Sequence, residues 1–215
     1  MADTWFWSDQ HAGHANIIRF FNKDGQTRLR APFWRPDPNK HLYPHGFCDI
    51  EKMAQTMADN FNKTVSKGDH VYWVGDVAWS EQWLHRFMRL LKMHTVNYLA
   101  LGNHDDIDHD VYRAYFTDIR GEYEFKNDRF IASHYPLHER NLGVRWGHAV
   151  NLHGHTHARR ITRQGWLNDG TVPLNFGDAF DPRYYNVSVE CTDYGLVHIS
   201  QVRTRVQEVL AEAGA

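Results

Sequence analysis

Residues 96–105 read VNYLALGNHD, in which six mainly apolar residues are followed by a turn and two titratable residues. We interpret the apolar part, Val96 to Leu101, as a buried strand that Gly102-Asn103 closes. Residues 70–76, HVYWVGD, have the same form, with a strand predicted over His70 to Val74 and a turn at Gly75-Asp76. Strands that end in polar turn residues favour a layered α/β fold, because functional side chains in such folds collect beyond the strand ends.

Helical patterns lie between and after these strands. Apolar residues recur with a 3.6-residue period from Ile50 to Val65, with Asp49 as N-cap, and Ser80 is placed to cap a second helix. Arg203 to Ala213 is predicted to form a terminal helix. Further strands are predicted over Thr4 to Ser8, Arg129 to Ser133, Val150 to His153, Tyr185 to Glu190 and Leu196 to Val202. Strands that alternate with helices early and follow one another later predict packed sheets.

The composition is that of one globular domain over residues 1–215, with 42% hydrophobic and 23% charged residues. A formal net charge of -2 argues against a protein that wraps nucleic acid in a basic surface. Two cysteines cannot form a disulfide framework or a four-thiolate zinc site. No segment approaches the roughly 20 apolar residues of a membrane span, and the N-terminus lacks a secretory pattern. We therefore expect a cytoplasmic protein that does not contact membranes.

Sixteen histidines are the unusual feature of the composition, and histidine is the commonest metal ligand. Residues suited to metals follow five predicted strands: Asp9-Gln10-His11, Gly75-Asp76, Gly102 to Asp105, His134, and His153 to His157. Singly, each has a structural explanation, such as an Asx-turn or a hydrogen-bonded core histidine. Together they offer oxygen and imidazole donors to two divalent cations. A shared carboxylate can hold such cations about 3.5–4 Å apart.

The order of these motifs resembles the calcineurin-like metallophosphoesterase superfamily, in particular its small bacterial and phage members. The resemblance rests on Asp9-x-His11, Gly75-Asp76, Gly102-Asn103-His104-Asp105, His134 and Gly154-His155-x-His157. It implies a four-layer αββα fold, in which two packed mixed β-sheets are flanked by helices and carry the metals at one rim. Where those proteins often read Asn-Val-Gly-Val-Asp, this chain has Ser188 and Glu190 at the third and fifth positions, and we expect neither to touch a ligand.

The resemblance also implies a role for each side chain. Seven would hold two metals: Asp9, His11 and His157 the first, Asn103, His134 and His155 the second, and Asp76 both. His104 would act as general acid beside the phosphate, oriented by Asp105. The implied reaction is hydrolysis of a phosphomonoester or phosphodiester by a hydroxide shared between the metals. Manganese is the metal that we expect, and iron, zinc, nickel and cobalt accept the same ligands.

Four further residues are candidates for substrate contacts. His14 and Asn16 either line the substrate side of the site or cap a helix that begins near Ile17. His138 and Arg140 either contact the substrate or are ordinary surface residues. Two segments without a regular pattern, residues 24–47 and 159–184, are interpreted as long loops with either a functional or a peripheral role.

Two other functions stay open at this point. A metal-dependent nuclease or nucleotide hydrolase would act on short or single-stranded nucleic acid, since the net charge disfavours only a large nucleic-acid interface. A metal-bound scaffold without catalysis is the other alternative, and the presence of His104 and all the ligand positions counts against it. The expected partner is a phosphate ester, with nucleotides among the candidates.

Overall fold

The computed structural model describes residues 2–21, 28–36, 46–92, 94–143, 147–162 and 180–214. The strands in chain order are β1 (Thr4–Trp7), β2 (Trp34–Arg35), β3 (Phe47–Cys48), β4 (His70–Trp73), β5 (Val96–Ala100), β6 (Asp118–Arg120), β7 (Glu122–Phe125), β8 (Phe130–Ser133), β9 (Val150–His153), β10 (Tyr184–Asn186) and β11 (Val197–His198). The helices are α1 (Ala15–Arg19), α2 (Ile50–Thr64), α3 (Glu81–Leu90), α4 (His109–Arg113) and α5 (Ile199–Glu212).

Two mixed sheets carry most of these strands. The first has the order β11-β1-β4-β5-β6, in which only β11 runs antiparallel to its neighbour. The second has the order β10-β9-β8-β7, in which only β7 is antiparallel. Strands β2 and β3 form a separate antiparallel pair. Because β1, β4 and β5 are parallel, the residues that follow them lie at one edge of the sheet, and the same holds for β8 and β9.

Alternation along the strands explains how the sheets pack. Trp7 and Trp73 lie in the core that α2 and α3 cover, whereas Phe6 and Val74 lie in the core shared with the second sheet. The Phe6 ring is 5.6 Å from the ring of Phe130 in β8. The prediction of two packed mixed sheets flanked by helices is therefore confirmed.

The predicted helix starts at Asp49 and Ser80 are also confirmed. The Asp49 side chain accepts the backbone N–H of Lys52, and the Ser80 hydroxyl accepts that of Trp83. Each bond satisfies one of the amide groups that the first turn of a helix leaves unpaired. Within the described residues, none of the helices has the length and hydropathy needed to cross a bilayer.

The strand predicted over Tyr185 to Glu190 is wrong at its C-terminal half. Strand β10 ends at Asn186, and Val189–Cys191 forms a 3-10 turn. The chain leaves the second sheet here because the amide of Val189 donates to the carbonyl of Ser8, beyond β1. This crossing brings residues 188–190 to the rim where the first sheet ends.

The strand predicted over Leu196 to Val202 is confirmed only at Val197–His198 and is wrong after His198, because β11 ends there and α5 begins at Ile199 rather than Arg203. The reason is a capping box: the His198 side chain accepts the Ser200 amide, and the Gln201 side chain accepts the His198 amide. Local apolar periodicity did not reveal this cap.

Several short elements have no counterpart in the sequence prediction, namely α4, β6 and β7. In the first predicted loop, the described part contains β2, β3 and a 3-10 turn at Ala31–Phe33. Residues 24–27 and 37–45 of that loop, and residues 163–179 of the second, lie outside the described residues.

Candidate metal centre

The loops that carry the candidate ligands adopt backbone conformations that L-residues rarely take. Among the described residues, eight non-glycine positions have φ between 47° and 63°. Five of the eight are candidate ligands: Asp9, His11, Asp76, His155 and His157. Each such residue costs roughly 1–2 kcal/mol, and strain of this kind is typical of functional sites.

Backbone hydrogen bonds and two glycines hold these loops against each other. The amide of Asp9 donates to the Gly75 carbonyl at 3.0 Å, and that of His11 to the Asp76 carbonyl at 2.9 Å. A Cβ atom at Gly102 would overlap the Asp76 carboxylate, and one at Gly154 would overlap the side chains at positions 8 and 9. Only glycine permits both approaches.

One group of candidate ligands consists of Asp9, His11 and His157. One potential ligand atom from each lies within 4.8 Å of the other two. Nε2 of His11 is 3.8 Å from Oδ1 of Asp9, and Nδ1 of His157 is 3.9 Å from the same oxygen. The three side chains come from the segments after β1 and β9, so both sheets contribute.

A second group meets the first at Asp76. Oδ2 of Asp76 is 3.3 Å from His11 Nε2 and 3.4 Å from His134 Nε2. Oδ1 of Asn103 is 3.1 Å from His134 Nε2 and 2.8 Å from His155 Nδ1. Asp9, Asp76 and His134 also offer three ligand atoms within 4.8 Å of one another. All seven side chains expected at the metals are therefore brought together.

The environment of His11 shows that these residues fit divalent cations. Its side chain is only 2% exposed, yet neither ring nitrogen has a hydrogen-bond partner. Buried polar atoms almost always have such a partner. An imidazole nitrogen that faces two carboxylates without donating to either is suited to a metal ion.

The pKa values of the candidate ligands His11 and His134 differ because their neighbours differ. Burial, with the charges of Arg30 and His157, lowers the pKa of His11 well below its usual value. Burial opposes protonation of His134 as well, but its contacts with Asp76 and Asp9 prevail and raise its pKa to about 9. Nδ1 of His134 lies 2.8 Å from the Val74 carbonyl, which can only accept. The neutral ring therefore has its proton on Nδ1 and presents Nε2 to the site.

Two serines hold the Asp9 carboxylate in place. Oδ2 of Asp9 lies 2.7 Å from the Ser8 hydroxyl and accepts the Ser188 hydroxyl at 2.9 Å. The amide of His155 donates to the same carboxylate at 3.0 Å. The expectation that Ser188 touches no candidate ligand is therefore wrong, because the chain crosses to β1 immediately after Val187.

The expectation for Glu190 is wrong for the same reason. Oε1 of Glu190 lies 3.2 Å from Nδ1 of His157 and 2.7 Å from Nε of Arg30. Arg30 is fully buried, and its guanidinium also donates to the backbone carbonyls of Asp9 and Gln10. Although burial alone would raise it, the pKa of Glu190 is lowered to about 2 by Arg30 and His157, so the carboxylate is ionised.

Asp105 has a different position from the one expected. Its carboxylate accepts the amides of Asp76 (2.8 Å), Val77 (3.0 Å) and Gly102 (2.9 Å) and the hydroxyl of Tyr112 (3.1 Å). None of these donors is the His104 ring. The structure therefore corrects the expected pairing with His104: the Asp105 carboxylate joins the turns after β4 and β5.

His104 lies at the rim of the site and is partly exposed. Its amide donates to Oδ1 of Asp76 at 2.8 Å. The ring centroid is 5.3 Å from that of His11 and 5.2 Å from that of Trp79. The imidazole is thus next to the first group of candidate ligands.

Of the four candidate substrate residues, His14 is joined to the site by ring contacts, with its centroid 5.5 Å from His11 and 3.8 Å from Trp79. It occupies the N-cap position of α1 without a side-chain capping bond. Asn16 is exposed on α1. His138 and Arg140 are exposed, and the described bond between them is local, from the Arg140 amide to His138 Nδ1. No described contact joins either to a candidate ligand.

Three features of the site were not predicted from the sequence: Arg30, the contacts of Glu190, and Trp79. One signal was available for Glu190, since a carboxylate within an otherwise apolar strand pattern requires a buried partner. Arg30 lies in an irregular segment where no local pattern indicates burial. Trp79 follows the Gly75-Asp76 turn closely, which places it near the site once that turn is recognised.

Known proteins resemble this chain in sequence and in fold. The sequence profile of the calcineurin-like phosphoesterase superfamily domain matches residues 49–200. An uncharacterized protein of Methanocaldococcus jannaschii is 25% identical over 203 residues, which are 94% of this chain and 90% of that protein. A protein of unknown function from Aquifex aeolicus has a similar fold, with a TM-score of 0.60 at 22% identity over 95% of this chain and 99% of that one. Because the profile covers well over half of the residues, this chain belongs to the calcineurin-like phosphoesterase superfamily.

Proposed function

We propose that the protein is a dinuclear metal-dependent phosphoesterase that hydrolyses a phosphomonoester or phosphodiester. The main support is the position of Asp76, whose Oδ2 lies 3.3 Å from His11 Nε2 and 3.4 Å from His134 Nε2. One carboxylate oxygen therefore faces both groups of candidate ligands, as a bridging ligand must. The profile match begins at residue 49, so Asp9 and His11 enter this proposal through the geometry rather than through the match.

We assign the ligands as follows: Asp9, His11 and His157 to the first cation, Asn103, His134 and His155 to the second, and Asp76 to both. Two divalent cations there would supply positive charge to the phosphoryl oxygens and lower the pKa of water. Manganese is our expectation for this set of oxygen and imidazole donors, and iron, zinc, nickel and cobalt fit the same set.

His104 is assigned as the general acid that donates a proton to the leaving oxygen. Three observations support this role: its ring lies beside His11, it is partly exposed, and its amide is held by Asp76. A partly exposed imidazole can exchange its proton with water between turnovers, which a general acid must do. Asp105 acts on the same centre through the backbone of Asp76 and Gly102 rather than through the His104 ring.

Both sheets contribute to this centre, so we also propose that residues 1–215 form one domain. His14 remains a proposed substrate contact because its ring contacts those of His11 and Trp79. Asn16, His138 and Arg140 stay predictions from the sequence. A cytoplasmic location and the lack of a large nucleic-acid interface stay predictions as well.

The experiment that tests this function combines metal analysis with a substrate panel. Purified protein is stripped with chelator, reloaded with Mn²⁺ and analysed for bound metal, and is then assayed with p-nitrophenyl phosphate and bis(p-nitrophenyl) phosphate. We expect two equivalents of metal, hydrolysis of at least one ester, and loss of turnover with chelator. A protein that binds fewer than two equivalents of every divalent metal tried would contradict the dinuclear proposal.

A further inference from the structure

An exposed aromatic ring stands beside the candidate centre. Trp79 is 46% exposed, although its backbone is held by a hydrogen bond from its amide to the Ala12 carbonyl at 2.9 Å. His14 stacks on the indole with the ring centroids 3.8 Å apart and an angle of 11° between the planes. Because His14 covers one face, the exposed area of Trp79 belongs to its other face and its edges.

The position of this ring relates it to the leaving group. The centroid of Trp79 is 5.2 Å from that of His104, and the centroid of His104 is 5.3 Å from that of His11. Trp79 is therefore one side chain away from the candidate ligand His11, both through His104, the proposed general acid, and through His14. A group attached to the leaving oxygen that His104 protonates would lie near Trp79, because the two rings are 5.2 Å apart.

The orientation of the indole is fixed before any substrate arrives. His14 is itself only 8% exposed, and the ring of Phe20 packs edge-on against it at 6.1 Å. An exposed face held by a buried stacking partner loses little conformational freedom when it binds a flat ligand. Stacking on an aromatic side chain is also a frequent mode of binding for nucleobases.

We propose that Trp79 binds the leaving group by stacking, and that the substrate is a phosphoester whose alcohol carries a flat aromatic base, as in a nucleotide. This inference rests on the proposed phosphoesterase function. A nucleotide fits this arrangement because its sugar separates the phosphate from the base. The His104 ring is correspondingly 5.3 Å from the candidate ligand His11 and 5.2 Å from Trp79. An alkyl phosphate would leave the exposed indole face unused.

The test compares AMP with ribose 5-phosphate, which share the phosphate and the sugar and differ in the base. Binding to Mn²⁺-loaded protein is measured by calorimetry with the phosphonate analogue of each ligand, in which a methylene group replaces the ester oxygen, because the loaded enzyme would hydrolyse the esters during the titration. For Trp79→Ala we expect the dissociation constant of the AMP analogue to rise roughly 5- to 100-fold, and that of the ribose 5-phosphate analogue to rise much less. Trp79→Phe, which keeps an aromatic face, should restore most of the preference for AMP.

Control variants separate stacking from other effects. Trp79→Leu keeps apolar area without a π-face and should lose the preference, and it serves where Trp79→Ala fails to fold. Phe47→Ala removes an aromatic side chain that is 44% exposed on the β2–β3 pair and should keep the preference for AMP. Tyr135→Ala removes a ring that is 48% exposed and lies 4.6 Å from that of His155, and should also keep it.

The outcomes distinguish this inference from the function on which it rests. Equal losses for the two ligands in Trp79→Ala, or a preference that Tyr135→Ala abolishes instead, would overturn the assignment while leaving the phosphoesterase proposal intact. Equal affinity of the unaltered protein for AMP and ribose 5-phosphate would overturn it as well. A protein that hydrolyses no ester in the metal-loaded panel would refute the proposed function, whatever its affinity for AMP.

Discussion

A single carboxylate oxygen of Glu190 links Arg30 to His157, at 2.7 Å from Nε of the first and 3.2 Å from Nδ1 of the second. Nδ1 of His157, the ring nitrogen that lies 3.9 Å from Oδ1 of Asp9, therefore has a carboxylate partner beside the first group of candidate ligands. The same guanidinium donates to the backbone of Asp9 and Gln10. One buried ion pair thus positions two candidate ligands of the first metal.

Glu190→Gln should weaken this arrangement in two ways. It leaves Arg30 buried without a counter-charge, which costs about 3–5 kcal/mol of unfolding free energy, and it lowers affinity for the first metal about 10- to 100-fold. Urea unfolding of metal-free protein and Mn²⁺ calorimetry measure the two effects. The double variant Arg30→Met/Glu190→Gln should recover much of the stability but not the affinity. Unaltered affinity in Glu190→Gln would show that His157 needs no such partner.

Asp76→Asn should reduce the binding of both metals, because one carboxylate oxygen faces His11 and His134. The measurement is metal stoichiometry after dialysis against limiting Mn²⁺. Asp69→Asn is a matched control, since Asp69 is also a buried carboxylate but accepts the amides of Asp3 and Ser66. We expect this control to lose stability and keep both metals. Loss of only one metal in Asp76→Asn would contradict a bridging role.

His104→Ala should lower kcat about 10²- to 10⁴-fold, the usual contribution of a general acid. Metal content should stay near that of the unaltered protein, because the ring is not among the seven assigned ligands. The comparison uses an ester with a poor leaving group and one with a good leaving group, and the loss should be larger for the first. Equal losses for the two esters would remove the general-acid assignment.

Asp105→Asn should destabilise the turns after β4 and β5, which the Asp105 carboxylate joins. An amide nitrogen placed among four donors leaves at least one of them unpaired, at about 1–3 kcal/mol for each, and loosens the turn that holds Asp76. We expect lower thermal stability and weaker metal binding, with no shift in the pH dependence of kcat. Tyr112→Phe removes one donor and should cause a smaller loss of stability. A displaced pH profile in Asp105→Asn would instead indicate a direct effect on His104.

Metal binding should release protons at neutral pH. The pKa of His134 is raised to about 9 in the absence of metal, so at pH 7 this ring carries a proton that a cation must displace. Affinity should therefore rise with pH and level off above about pH 9. Calorimetry at pH 7 in two buffers of different ionisation enthalpy measures the released protons. Proton release that is unchanged in His134→Ala would show that another group supplies them.

Local sequence patterns predicted much of the fold. The strands at Val96 and His70, the helix starts at Asp49 and Ser80, and the turns that follow each strand depend on residues near one another in the chain. The prediction was wrong after Asn186 and His198, where a hydrogen bond to Ser8 and a capping box end the strands. Neither the hydrogen bond nor the capping box alters the pattern of apolar residues from which these strands were predicted.

The order of the motifs and the types of side chain at each strand end were readable from the sequence, because the turn and the residues beside it form a local signal. The pairing of Arg30 with Glu190, 160 residues apart, and the place of Trp79 beside His104 were decided by the tertiary structure. The physical reason is that burial and charge pairing between distant segments arise only when the sheets pack. Until then, an arginine in an irregular segment is indistinguishable from a surface residue.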